Sequence, residues 1–185
     1  MSRSALLIAA AFVVAGVACD AAVAAPASPA PPKLGRAATA DDIAKVDISI
    51  PPDGTGLPAG SGSVAQGAAV YAQKCQVCHG ANGAGTPSGD RLVGGIGTLN
   101  TANPIKTVSS YWPYATTLFD YIRRAMPNPS PKSLENEEVY AVVAYILSID
   151  NIVPKDAVMD AQSLPKVQMP NKAGFINWEP RLIKP

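Results

Sequence analysis

The sequence predicts an all-α protein, a small domain of short helices between long irregular extensions. Three observations point there. Apolar residues recur at helical spacing in two well-capped segments, Val64–Lys74 and Leu134–Leu147. Eighteen prolines and fifteen glycines in 185 residues break the rest into loops too long for a helix bundle. A Cys-x-x-Cys-His string, Cys75-Gln76-Val77-Cys78-His79, stands at the end of the first helical segment. Charged residues are 16% of the chain, against about 25% in an average soluble protein. The net charge is +1 with no basic block, which leaves no electrostatic footprint for nucleic acid.

Residues 1–24 read as a signal peptide. Arg3 precedes an uncharged stretch, Ser4–Cys19, and Ala22-Val23-Ala24 supplies a small-x-small cleavage site. The apolar run is shorter than the roughly 20 residues a membrane span needs, so no transmembrane segment is expected after processing. This reading puts the mature chain in the periplasm. A minor alternative is lipid anchoring through Cys19, because Val17-Ala18-Cys19 resembles a lipoprotein box, although Gly16 replaces the usual large aliphatic residue.

Residues 25–62 form a Pro/Gly-rich extension. Ala25–Lys33 should be a flexible or polyproline-like tether. Asp41–Ile50 is more apolar and suits a turn of helix or a strand, with alternation at Val46, Ile48 and Ile50. The domain itself is expected over 63–150. Ser63 caps the first helix, in which Gly67 and Tyr71 should meet Tyr145 of the last helix at a close crossing. Gly80–Gly97 holds seven glycines and must be an irregular loop. Thr116 or Thr117 caps a helix over Leu118–Ala125, stopped by Pro127 and Pro129. Ser133 caps Leu134–Leu147, whose Val139, Val142, Val143, Ile146 and Leu147 make a buried stripe. Residues 151–185 read as an irregular tail that covers its own domain or docks a partner through Phe175, Ile176 and Trp178.

The Cys-x-x-Cys-His string carries the chemistry. Thiols three residues apart on one helical turn can add to the two vinyl groups of a haem, and the following His79 then points its imidazole at the iron. A zinc site would need a second Cys/His pair, and His79 is the only histidine. A thioredoxin-like pair would need a preceding strand, where a helix is expected. A structural disulfide would leave His79 without a role. One motif implies one covalently attached haem c, with the sixth iron ligand from elsewhere. Met126, followed by Pro127, is the best-placed methionine, ahead of Met159 and Met169. Trp112, Tyr114 and Arg123 are candidate contacts for the haem propionates, and Arg91 and Arg124 share that reading with a plain solvated one. Trp112 and Tyr114 serve equally well as core.

The order of helix, Cys-x-x-Cys-His, loop, helix, Met-Pro and amphipathic helix over Val64–Leu147 resembles class I cytochrome c. The resemblance implies that fold, with His79 and Met126 as axial ligands of the iron. It also implies a carbonyl from a proline-containing loop that orients the histidine, a role for which Pro87 is the only nearby proline and is not obviously aligned. Four further segments, 52–58, 110–117, 121–127 and 164–171, resemble the cytochrome subunits of periplasmic molybdenum enzymes that oxidise sulfur compounds, such as sulfane and sulfite dehydrogenases. The sulfane dehydrogenase cytochrome is typically longer, with a second cytochrome-like region. The resemblance implies an electron-transfer protein rather than an enzyme. It would take electrons from a molybdenum-cofactor dehydrogenase and pass them to an acceptor cytochrome c or oxidase, with the exit at the haem edge near Cys75 and Cys78. The alternatives are a haem with an open or labile sixth site, used in catalysis or sensing, and a lipid-anchored shuttle to a membrane oxidase.

Overall fold

In the computed structural model, which describes residues 34–176, two helices cross at a glycine and the rest of the domain is laid around them. The chain divides into two units, 1–37 and 38–185, and the second holds every element described below. The expected signal peptide, Cys19, the Ala25–Lys33 tether and Trp178 lie outside the described residues.

Helix α1 (Ala40–Ala44) is capped by Thr39, and the backbone then runs without regular structure to Ile50. Ile50 is buried while Val46 is exposed, so only one end of that apolar stretch joins the core. Strand β1 (Ser61–Ser63) leads into α2 (Val64–Lys74). Ser63 and Gln66 cap each other reciprocally, the Ser63 hydroxyl accepting the Gln66 N–H at 3.2 Å and the Gln66 side chain accepting the Ser63 N–H at 2.8 Å. A four-residue turn, α3 (Gln76–His79), follows.

Helix α4 (Val108–Tyr111) is too short to leave a periodic signal and was not expected. Helix α5 (Ala115–Ala125) starts three residues before the expected Leu118. Neither threonine caps it. Thr116 is buried inside the first turn, and Tyr114 stands at the N-cap without a side-chain bond. Helix α6 (Asn136–Ile149) starts two residues after the expected Leu134. Its cap is Glu135 rather than Ser133, because the Glu138 carboxylate reaches back to the Glu135 N–H at 3.1 Å, an acidic arrangement that suits the positive end of the helix.

Helix α6 is buried nearly all round and forms the centre of the core. Val139, Tyr140, Val142, Val143, Ile146 and Leu147 meet Leu118, Phe119 and Ile122 of α5 and Val64 and Tyr71 of α2. Both flanks of the 63–150 region complete this core. On the N-terminal side, Ile50 donates its N–H to Asp120 at 3.0 Å, and Tyr140 donates to the Pro58 carbonyl at 2.8 Å. On the C-terminal side, β2 (Val158–Asp160) pairs antiparallel with β1, Gly62 opposite Met159. Leu164 and Met169 follow into the core. The tail to Met169 therefore covers its own domain, while Phe175 and Ile176 stay exposed. Strands of three residues are too short for the alternation that marks a strand in sequence. No helix among the described residues is long and apolar enough to cross a membrane.

Candidate functional site

Cys75 ends α2, its N–H still bonded to the Tyr71 carbonyl at 2.9 Å. The Cys75 carbonyl then accepts from both Cys78 N–H, at 3.1 Å, and His79 N–H, at 3.0 Å. This tight turn gathers two thiols and an imidazole, and Gly80, at φ 74°, turns the chain away. Neither cysteine is in a disulfide, and burial pushes the Cys75 thiol up to about 11.

His79 Nδ1 lies 2.8 Å from the Asp90 carbonyl oxygen. A carbonyl only accepts, so Nδ1 carries the proton and Nε2 keeps its lone pair for a metal. The orienting carbonyl thus belongs to Asp90, three residues beyond Pro87. A backbone oxygen has no side-chain signature, and nothing in the sequence distinguished this one.

The loop carrying that carbonyl is tied at several points. Gly85 N–H bonds to the His79 carbonyl at 2.7 Å and Leu92 N–H to the Gly83 carbonyl at 2.8 Å. The Thr86 hydroxyl donates to the Cys78 carbonyl. Gly94 N–H is held by the Asp150 carboxylate at 2.5 Å, and the Gly94 carbonyl accepts from Thr107 at 2.7 Å. At Gly89 a Cβ would stand 2.8 Å from the Cys78 carbonyl oxygen, so only glycine lets the loop pass this close.

A cavity of about 480 Å³ opens onto this turn. Cys75, Cys78, His79 and Met126 all line it, with Leu92, Val108, Leu118, Ile122 and Ile146 as apolar wall. Met126 is placed by the end of α5, its N–H on the Ile122 carbonyl at 3.0 Å, and the Met126–Pro127 peptide is cis. Met159 and Met169 are core residues and do not line the cavity. Trp112 lines it and stands edge-on to Tyr121 at 5.7 Å. Arg91 and Lys106 line it as well. Tyr114 and Arg123 are not among the lining residues. Leu118, Tyr121 and Ile122 occupy one face of α5 and Arg123 falls off it. Arg124 is paired with Asp120 at 2.7 Å.

The donor set fits a covalently attached haem c: two thiols on one turn, an imidazole with a free Nε2, and a thioether in the same apolar cavity. Among the described residues no group of three or more His, Cys, Asp or Glu side chains gathers in a way that would hold a metal ion.

The family model for cytochrome c matches residues 64–150. A chain in the crystal structure of the sulfane dehydrogenase SoxCD from Paracoccus pantotrophus is 38% identical, with a TM-score of 0.73, over 83% of this chain and 78% of its own. No curated protein matches.

Proposed function

This chain belongs to the cytochrome c family, and on that premise we propose that it is a single-haem electron carrier serving a periplasmic molybdenum dehydrogenase for sulfur compounds. The observation that carries the reading is the convergence of Cys75, Cys78, His79 and Met126 on one cavity. The family implies covalently bound haem c, which when bound supplies a one-electron iron couple. Cys75 and Cys78 would hold it through thioethers. His79, its ring set by the Asp90 carbonyl, and Met126 would hold the iron. A thioether ligand raises the potential relative to a second histidine, which suits an acceptor of electrons.

Support for the partner is the likeness to a chain of a sulfane dehydrogenase together with the four sequence segments noted above. Sulfur oxidation would take place on the dehydrogenase, and this chain would relay single electrons to an acceptor cytochrome c or oxidase. The periplasmic location rests on the signal-like residues 1–24.

The test is an optical spectrum of the protein made with haem-attachment machinery. The oxidised form should show the weak far-red band of a methionine–iron bond, and Met126→Ala should lose it. A sulfur substrate plus the candidate dehydrogenase should then reduce the haem. Absence of the band together with ready carbon monoxide binding would overturn the carrier reading in favour of an open-site haem.

A further inference from the structure

We infer that Arg91 and Lys106 form a cationic wall of the cavity that holds the two carboxylates of the haem; this rests on the haem reading above.

The cavity is mainly apolar, and the charged side chains along it are Lys74, Asp90, Arg91 and Lys106. Lys74 is already neutralised, its ammonium 2.6 Å from the Glu138 carboxylate. Arg91 and Lys106 have no carboxylate partner among the described residues. Both residues are exposed, so they stand at the rim of the cavity, where an anion carried by a ligand of the cavity could pair with them. A haem is such a ligand, an apolar plate with two carboxylates on one edge.

Their placement is built from the backbone. Arg91 sits between Asp90, whose carbonyl receives His79, and Leu92, which is bonded at both its N–H and its carbonyl. The Leu92 carbonyl accepts the Val108 N–H at 3.1 Å, and Thr107 donates to the Gly94 carbonyl at 2.7 Å. These two bonds stitch the Arg91 loop to the segment that carries Lys106. The Lys106 ammonium lies 5.2 Å from the centroid of the Tyr111 ring. Tyr111 is in turn held from the tail, by Phe175 against its ring at 5.3 Å and Asn171 on its carbonyl at 2.8 Å. Tail and cavity therefore meet at Lys106. Trp112, which lines the same space, would add its indole N–H.

The test uses the holoprotein, with midpoint potential measured against pH and resonance Raman bands of propionate bending. Besides Arg91 and Lys106, the titratable groups lining the cavity are Lys74, Cys75, Cys78, His79, Asp90 and Tyr121, and the variants leave all six in place. Removing both cations as Arg91→Gln with Lys106→Gln should move the acid step in the potential up by about one pH unit or more, since a neighbouring cation lowers a carboxyl pKa by that much. It should also shift the propionate bands. Lys166→Gln, which removes a charge elsewhere, should do neither. A double variant with step and bands unmoved would overturn the inference. Should that variant attach no haem, the single swaps Arg91→Lys and Lys106→Arg decide: a shifted propionate band in either supports the wall, and unmoved bands in both overturn it. A wild-type protein that attaches no haem would overturn the functional reading as well, whereas a normal wild-type spectrum with unmoved variants overturns this inference alone.

Discussion

Gly67 of α2 rests on the Ala141 carbonyl of α6 so closely that a Cβ at position 67 would overlap that oxygen and approach Tyr145 Cβ to 2.8 Å. The missing side chain lets the two helices approach, and one turn on, the Tyr71 and Tyr145 rings meet at 5.1 Å. Since α2 ends at Cys75, this crossing sets where the thiols and His79 stand relative to the cavity.

Gly67→Ala should therefore destabilise the fold. The new methyl meets backbone rather than the end of a flexible side chain, so the helices must separate. The expected loss is about 3 kcal/mol, at the upper end of overpacking costs. Thermal unfolding followed by circular dichroism measures it, and a loss under about 1 kcal/mol would mean that the two helices have room for a methyl at their crossing.

Lys74 and Glu138 add a pH-dependent tie to the same helix pair. The hydrogen bond from Lys74 is the main cause holding the Glu138 carboxyl below its ordinary 4.5. A carboxyl depressed in the folded state contributes stability that is fully present above its unfolded value and is lost as pH falls through the folded value. Stability should thus decline as pH drops below about 4.5, and Glu138→Gln should flatten part of that decline. Both side chains are partly exposed, so the effect should shrink in high salt.

Asp150 acts on the loop that orients His79. Its carboxylate receives the Gly94 N–H beside the C-terminus of α6. Asp150→Ala should leave that N–H without its partner, costing about 1 to 2 kcal/mol, and should speed amide hydrogen exchange in residues 90–95. Asp150→Asn keeps an acceptor and should recover much of the loss. Equal behaviour of the two variants would count against this role.

Ser109 is buried on α4, and its hydroxyl has no hydrogen-bond partner among the described residues. A buried polar atom without a partner costs roughly 1 kcal/mol or more. Ser109→Ala should raise the midpoint of denaturant unfolding with its slope unchanged, and a lowered midpoint would show that the hydroxyl finds a partner in solution.

Features contained within one stretch of chain were legible in advance. The Cys75, Cys78 and His79 group depends on the spacing of a single helical turn. The Ser63 cap, the stripe on α6 and the small residue at the α2–α6 contact follow from helical periodicity. The same reading placed α5 and α6 a few residues off, because buried Thr116 and the Glu135–Glu138 pair took roles that propensity assigns elsewhere. Arg123 stands close to Met126 along the chain, but nearness along a helix is not nearness on one face, and it is not among the residues lining the cavity.

By itself the sequence determined the helical class, the attachment string and donor types that suit a haem, because each is written in side chains a few residues apart. Only the tertiary structure decided that Met126 shares a cavity with His79, that the Asp90 carbonyl orients the imidazole, that Arg91 and Lys106 share the lining of that cavity, and that the tail to Met169 belongs to the domain core. Each of these relations joins distant segments through backbone atoms or packing, and such contacts have no period or spacing to be read before the chain has folded.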